Sequence, residues 1–306
     1  MRGRTHGRWV AGVCAVLSVA AAAWWSIATR SASEVSVPAA APRAASALAP
    51  PQQVTSRAKP LLPQRPHEAD SVGNASDLRG VFDAYIDSAD EALRRTAVRA
   101  HAACVPAFLP QAGEPASPEP LIQSLPAAHR AEREAAYRAL FARCYRFFGE
   151  GRAKLEPMRE RVSAAQWQEP GVRVRAALGR GDRDDAIAIL GAALSGADAA
   201  TVASLSGTAS ALVEEQDDPG LAVRARAIDA ALMLAACDLG MHCGVDALRA
   251  LQMCAVESLC DGDVPTRVMV QAAASDPVAV QRERTRLLAL FRSGRALTAA
   301  DLFAAP

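Results

Sequence analysis

The residues of this 306-residue chain with the most evident chemistry are its cysteines. Four of the seven form two copies of the spacing C-x5-C, and these are Cys237, Cys243, Cys254 and Cys260. Each copy begins near the C-terminal end of a predicted helix and continues into a turn. The helix expected between Cys243 and Cys254 separates their Cα atoms by about 15 Å, whereas a disulfide needs about 7 Å or less. Pairing Cys237 with Cys254 would require two neighbouring helix C-termini to meet, so the spacing favours the local disulfides Cys237–Cys243 and Cys254–Cys260.

Two further cysteines, Cys104 and Cys144, lie in the first two long predicted helices, and a disulfide between them would join those helices. An even number of cysteines in an exported domain is typical of disulfides. Zinc binding by the C-x5-C cysteines with His242 stays open, although zinc sites usually show closer spacing. A redox-active pair also stays open, although C-x5-C is not the C-x-x-C arrangement that lowers a thiol pKa. We expect no metal and no cofactor.

Other motifs that could carry chemistry are short. Residues 56–59 match the S-x-x-K of penicillin-recognising enzymes but lie in a stretch without a surrounding core. Glu257-Ser258 resembles the Glu-Ser of lytic transglycosylases, whose glutamate is a general acid, but the motifs that follow it in those enzymes are absent. Three histidines are expected at the surface or at helix ends, and these are His101, His129 and His242. No catalytic residue is predicted, and a non-enzymatic role is favoured.

The elements that would position the cysteines begin with an apolar N-terminal stretch. Residues 9–29 carry no charge, and about twenty apolar residues suffice to span a bilayer. Arg2, Arg4 and Arg8 precede this stretch, so the positive-inside rule leaves residues 1–8 in the cytoplasm and exports the rest. We expect one transmembrane helix in the bacterial inner membrane, with the C-terminal domain in the periplasm. The alternative is a signal peptide cleaved near residues 31–33, which would release the protein into the periplasm.

Residues 30–75 predict a disordered tether between the membrane and the domain. The segment is dominated by Pro, Ala, Ser and Gln, and its repeated prolines prevent a stable helix.

The formal net charge of the chain is only +1, which excludes the basic footprint of a nucleic-acid-binding protein. The expected partners are therefore the membrane itself and an unidentified protein of the cell envelope.

Residues 76–306 predict one all-α domain. Hydrophobic residues make up 51% of the chain and aromatic residues only 5%, and alanine-rich segments favour closely packed helices over strands. Apolar residues recur at three- and four-residue spacing, without convincing alternation. Helices are expected near 78–86, 88–104, 127–148, 171–179, 182–195, 199–215, 219–238, 245–258, 265–274 and 277–292. Short connections between them predict an irregular array of antiparallel helical hairpins.

The cysteine pattern carries the first of two resemblances. Residues 236–240 (Ala-Cys-Asp-Leu-Gly), followed by Cys243, Cys254 and Cys260, are similar to uncharacterised exported helical proteins of proteobacteria. This resemblance supports the cysteine framework and implies no activity.

The second resemblance is to lipase-specific foldases, which combine a membrane anchor, an Ala/Pro-rich tether and a helical domain. Residues 79–83 match the beginning of the foldase motif R-x-x-F-D-Y-F/C-L-S-A, and Ala84 departs from it. The resemblance implies that Arg79, Phe82 and Asp83 act in lipase activation. As ordinary helix residues they would instead form an amphipathic first turn, with the phenylalanine buried and both charges solvated.

These observations favour a membrane-tethered periplasmic helical protein with a binding or scaffolding role, although no motif identifies the function. The alternatives are a cell-envelope enzyme acting on peptidoglycan or lipid, and a chaperone resembling the lipase foldases. A pocket that holds a carboxylate of raised pKa would favour the enzyme. An exposed apolar groove without titratable groups would favour binding.

Overall fold

The computed structural model describes residues 72–108, 115–149, 155–166, 169–195, 198–213, 219–273 and 276–293, together with Thr298 and Asp301. These residues form helices, turns and no strand, which confirms the predicted all-α class. The predicted membrane helix at residues 9–29, with Cys14, and the tether as far as residue 71 lie outside the described residues. Within the part that is described, no helix is both long enough and apolar enough to cross a bilayer.

Thirteen helices make up the described chain. They are α1 (Leu78–Tyr85), α2 (Glu91–Phe108), α3 (Glu119–Gln123), α4 (Arg130–Phe148), α5 (Leu155–Gln166), α6 (Pro170–Gly179), α7 (Arg183–Leu194), α8 (Ala199–Ser204), α9 (Thr208–Val213), α10 (Pro219–Asp238), α11 (Leu248–Glu257), α12 (Val264–Ala273) and α13 (Pro277–Ser293).

Polar caps determine where several of these helices begin. Asp77, Asp182 and Asp276 each accept a hydrogen bond from a backbone N–H in the first turn of α1, α7 and α13. Such side chains satisfy N–H groups that have no partner inside the helix. At the other end of α10, Gly240 has a φ of 101°, a conformation in which glycine avoids the strain of a Cβ atom. These boundaries follow the start and stop signals in the sequence.

Three differences from the expected helices have local causes. The expected helix at 199–215 is two helices, because Gly207 adopts a φ of 93° between α8 and α9. Helix α5 was not expected, although the apolar residues at positions 155, 158, 162 and 165 follow helical spacing and are buried. Helix α3 was also not expected, and it is a single short turn that begins after Pro118.

Buried apolar side chains form three clusters. The first joins α1, α2, α4 and α5 and includes the fully buried rings of Phe82 and Phe147. The second joins α6 to α10 with α13, and the third joins α10 to α13. Neighbouring helices contact each other in the pairs α1–α2, α6–α7 and α12–α13, as an array of hairpins requires. Helix α10 departs from that arrangement, because it contacts α8, α9, α12 and α13.

Helix α11 belongs to two of these clusters. Cys254 and Ala255 pack in the first cluster, whereas Ala250 and Met253 pack in the third. Helix α11 also contacts both α4 and α12. It therefore connects the N-terminal helices to the C-terminal ones, and it carries one of the cysteines identified from the sequence.

Candidate functional site

Three cysteine pairs lie at disulfide distance, and they are the two local pairs that the spacing favours and the pair of the two remaining cysteines. They are Cys104–Cys144, Cys237–Cys243 and Cys254–Cys260, with Cα atoms 5.3, 5.8 and 4.2 Å apart. The first disulfide is fully buried and joins α2 to α4. Each local disulfide folds the segment after a helix back onto the end of that helix, which is α10 in one case and α11 in the other.

The disulfides indicate an oxidising, extracytoplasmic compartment, since reducing compartments keep such thiols reduced. All six cysteines that could have supplied thiolate ligands are paired with each other. Among the described residues, no group of three or more His, Cys, Asp or Glu side chains is arranged to hold a metal ion. The geometry of the cysteines is that of structural crosslinks.

A buried arginine fixes the loop closed by Cys254–Cys260. Arg267 on α12 is 5% exposed, and its Nε donates to the carbonyl of Gly262 at 2.9 Å. Its two other nitrogens donate to the carbonyls of Cys260, at 2.6 Å, and of Ala250. The fixed fork of guanidinium donors suits three carbonyl acceptors. The loop is therefore tied to α11 by a disulfide and by a charged side chain.

His101 is buried, and the expectation of a surface or helix-end position for it was wrong. It lies within α2, is 9% exposed, and its ring centroid is 5.8 Å from that of Phe82 and 5.9 Å from that of Phe147. Burial lowers the pKa of His101 to about 4. The expectation failed because α2 packs against both α1 and α4 and directs this side chain inward. His129 precedes α4 and His242 follows α10, at helix ends as expected.

The residues that match the foldase motif make structural contacts. Arg79 donates from Nε to both oxygens of Asp83, at 2.9 and 2.8 Å. Its guanidinium carbon lies 5.9 Å from the ring centroid of Phe82 and 5.7 Å from that of Phe147. The side chain of Arg79 is 16% exposed, so the expectation of a solvated charge was wrong. Stacking of a cation on aromatic rings accounts for its burial and fastens α1 to α4.

Glu257 is also engaged by neighbouring side chains. Its carboxylate lies 2.9 Å from Nη2 of Arg249 on the same helix and accepts a hydrogen bond of 3.3 Å from Nε2 of Gln271 on α12. Ser258 ends α11 in the left-handed conformation. The Glu-Ser pair thus terminates a helix and bridges it to the next one.

A cavity of about 340 Å³ lies beside this bridge. Its wall is formed by α10, α11, α12, α13 and the turn between α8 and α9. Small and aliphatic side chains provide the apolar lining, and these are Ala227, Ala230, Met233, Val268, Ala272 and Val280. Alanines occur where α10 and α12 face the cavity, and their short side chains leave the space unfilled.

Asp229 is the buried polar group of the cavity. It is 8% exposed, and its two carboxylate oxygens accept hydrogen bonds from the backbone amides of Ala209, at 3.0 Å, and Ser210, at 2.9 Å. Ser206 donates to the backbone carbonyl of Asp229 at 2.9 Å. Burial raises the pKa of Asp229, and hydrogen bonds at Ser210 and Ala209 offset only part of that rise. The carboxyl group therefore docks the α8–α9 turn onto α10.

Two arginines and a glutamine complete the polar lining. Arg226 and Gln271 are exposed, and Arg249 is half-buried. Within the described part of the chain, Arg226 makes no ion pair. Arg249 binds Glu257 through Nη2, while its Nε is buried and has no hydrogen-bond acceptor among the described residues. The positive charges thus lie toward solvent, and the aliphatic side chains lie behind them.

The sequence analysis missed the cavity, although one signal was present. Asp229 is the single acidic residue between Leu221 and Cys237, a stretch otherwise filled with apolar residues and arginine. A buried carboxyl group needs a hydrogen-bond partner. An acidic residue on an otherwise apolar helix therefore predicts a polar contact with another part of the chain. The residues opposite it on other helices could not be found from one sequence, because their proximity depends on how α10, α11 and α12 pack.

A second depression between α12 and α13 is wider and more apolar. Its volume is about 580 Å³, and it is lined mainly by Leu234, Pro265, Met269, Val270 and Pro277. Arg284 at its edge pairs with Asp238 at 2.6 Å. Because Arg284 lines it, this depression does not meet the expectation of an apolar groove without titratable groups. The cavity at Asp229 contains the carboxyl group of raised pKa that would favour an enzyme.

Comparisons of the chain with protein-family models, with curated proteins and with solved structures found no match.

Proposed function

We propose that the chain is a membrane-tethered binding protein of the bacterial periplasm, and that the cavity between α10 and α13 receives a small ligand. The observation that carries the proposal is the combination of aliphatic and polar side chains in the lining of one cavity. Ligand pockets typically have this composition and volumes of about 300–1,000 Å³. The disulfides and the polar contacts around Arg267 and Asp229 stabilise the helices that form the wall.

Binding fits the cavity better than catalysis does. A general acid must reach the reacting group of its substrate, but both oxygens of Asp229 already accept hydrogen bonds from backbone amides. The hydroxyl of Ser206 donates to the backbone carbonyl of Asp229. Asp229 and Ser206 are thus held in fixed positions by contacts within the protein.

The proposal predicts that the native protein carries its ligand. The full chain would be extracted from membranes, purified without denaturation and then unfolded, and the small molecules released would be measured by mass spectrometry. Ala230→Leu and Ala272→Leu fill the cavity from opposite walls, whereas Ala102→Leu adds the same atoms at an exposed site on α2. We expect one molecule to accompany the wild type and Ala102→Leu and to be lost from both cavity variants. Release of the same set from all four proteins would reject the cavity as the binding site.

The proposed location has a separate test. Membranes that contain the full chain would be washed with carbonate, and the denatured, unreduced protein would be labelled with a maleimide. We expect the chain to stay in the membrane fraction and to label at one thiol, Cys14, before reduction and at seven after it. Six additional reactive thiols before reduction, or a soluble cytosolic product, would contradict export. Absence of the Cys14 label with all disulfides intact would indicate the cleaved periplasmic form instead.

A further inference from the structure

We infer that the ligand of the cavity is a small aliphatic carboxylate, bound with its carboxylate near Arg226 and Arg249 and its hydrocarbon chain against α10 and α12. This inference rests on the proposed function and adds the chemical class of the ligand. It follows from the charges of the cavity, from an unsatisfied donor in its lining, and from the nature of its inner wall.

The charges favour an anion. Two guanidinium groups, those of Arg226 and Arg249, and one carboxyl group, that of Asp229, line the cavity. The carboxyl group accepts hydrogen bonds from the backbone amides of Ala209 and Ser210, so its two oxygens are already engaged within the protein. Arg226 has no ion partner among the described residues. Because Glu257 already pairs with Arg249, a cationic ligand would meet mainly the charge of Arg226. An anionic ligand would find in Arg226 an arginine that has no ion partner among the described residues.

The unsatisfied donor is Nε of Arg249. The pairing of Arg249 with Glu257 engages only Nη2, and the buried Nε is left without an acceptor. Buried donors normally find a partner, because a hydrogen bond left unmade away from water destabilises the folded state. A carboxylate oxygen would supply the missing acceptor, and hydrogen bonds between charged groups are stronger than those between neutral ones.

The inner wall favours a short hydrocarbon chain. Behind the arginines the lining contains aliphatic side chains on α10, α12 and α13 and no aromatic ring, so it offers no stacking surface for a sugar or a base. Met233 and Val268 are buried there, and Ala230 and Ala272 leave room on the two facing helices. A volume of about 340 Å³ lies at the small end of the usual range of ligand pockets.

The experiment compares three probes that share one hydrocarbon chain. Hexanoate, 1-hexanol and hexylammonium would be titrated by calorimetry into the full chain in lipid nanodiscs, with empty nanodiscs subtracted. Arg249→Gln and Ala230→Leu test the charge and the space, and Arg173→Gln removes an exposed arginine of α6 that does not line the cavity. We expect hexanoate to bind at least about tenfold more tightly than the other probes, as the loss of one charged hydrogen bond implies. Both cavity variants should weaken hexanoate binding by a similar factor, and Arg173→Gln should leave it unchanged.

The outcomes separate this inference from the proposed function. If hexanol or hexylammonium binds as tightly as hexanoate, and Ala230→Leu abolishes that binding, the cavity is a binding site but the carboxylate assignment is wrong. If hexanoate binds and Arg249→Gln does not weaken it, the assignment is also wrong. If no probe gives binding that Ala230→Leu removes, and no molecule accompanies the purified protein, both proposals fail. Circular dichroism of each variant establishes that it is folded, and Arg226→Gln replaces Arg249→Gln if the latter is not.

Discussion

Single buried side chains connect the helices of this protein, and His101 is an informative case. Its ring packs against the rings of Phe82 and Phe147, and its Nε2 is buried without a hydrogen-bond partner among the described residues. Such a site favours the neutral imidazole, since a charged ring would lose its hydration. The folded protein thus binds this proton far less readily than the unfolded chain does.

The pKa of His101 predicts a loss of stability in weak acid. The unfolded chain binds the proton near pH 6.5, whereas the folded protein binds it only near pH 4. The contribution of His101 to the free energy of unfolding is therefore fully present above about pH 6.5. It is lost as the pH drops from there toward about 4, by about 3 kcal/mol in total. Urea unfolding measured across this range should show that decline in the wild type, and His101→Phe should remove most of it.

Two controls isolate this effect. His129→Gln removes a histidine at a helix end and should leave the slope between pH 6.5 and 4 unchanged. The carboxylate of Asp263 acts at lower pH, because hydrogen bonds from Thr266 lower its pKa below the ordinary 3.8 and its contribution is lost only below that range. Asp229, whose pKa is raised by burial, acts in the opposite direction, because the folded protein binds its proton more readily than the unfolded chain does. If the wild type is equally stable at pH 6.5 and pH 4.5, His101 is not the buried neutral group described above.

At the level of helices, the disulfides differ in how much chain they enclose. Cys104–Cys144 joins α2 to α4 across a sequence separation of 40, whereas Cys254–Cys260 closes a separation of 6 at the end of α11. A crosslink restricts the unfolded chain more when its loop is longer. The long-range disulfide is therefore expected to contribute most to stability.

Replacing each pair by alanine tests this ranking. Chain entropy predicts a loss of about 4 kcal/mol for Cys104→Ala with Cys144→Ala and about 2 kcal/mol for Cys254→Ala with Cys260→Ala. The free energies of unfolding would be compared by urea denaturation under oxidising conditions. The wild type in reductant serves as the reference for loss of all crosslinks. An equal or reversed ranking would contradict the chain-entropy argument. It would show that packing in the folded state, of the sulfur atoms or of Arg267 against its loop, contributes more to the free energy of unfolding than the restriction of the unfolded chain does.

Sequence information predicted the helices better than it predicted their contacts. Caps such as Asp182 and the C-x5-C spacing are local, so they indicated helix ends and disulfide pairs without knowledge of the packing. The break at Gly207 was missed because an apolar helical pattern continues on both sides of it. The burial of His101 and the cavity around Asp229 were missed for a different reason. They depend on which helix faces which, and one sequence does not contain that information.

At the scale of the whole molecule, the N-terminal and C-terminal helices are joined by α11 and by one buried ion pair. Nε of Arg99 on α2 lies 3.2 Å from the carboxylate of Glu169, which precedes α6, and Nη2 of Arg99 lies 3.3 Å from Oγ1 of Thr201 on α8. The side chains of Arg99 and Glu169 are 18% and 9% exposed. The two groups of helices therefore share a charged contact that is largely removed from water.

Breaking this pair should destabilise the whole molecule. Glu169→Gln would remove the carboxylate 3.2 Å from Arg99 in a mostly buried position and leave Asp198 as the remaining negative charge near it. Breaking a buried pair typically costs about 3–5 kcal/mol, so we expect a loss of about 3 kcal/mol. Replacing both partners by methionine removes the charge and the need for a partner, so the double variant should be clearly more stable than Glu169→Gln. Arg180→Gln breaks an ion pair that is exposed on both sides and should cost less than about 1 kcal/mol. Urea unfolding measures all three variants. If Glu169→Gln lowers the free energy of unfolding by less than about 1 kcal/mol, the interface tolerates Arg99 without Glu169. The coupling between the two groups of helices would then depend on α11 and not on this ion pair.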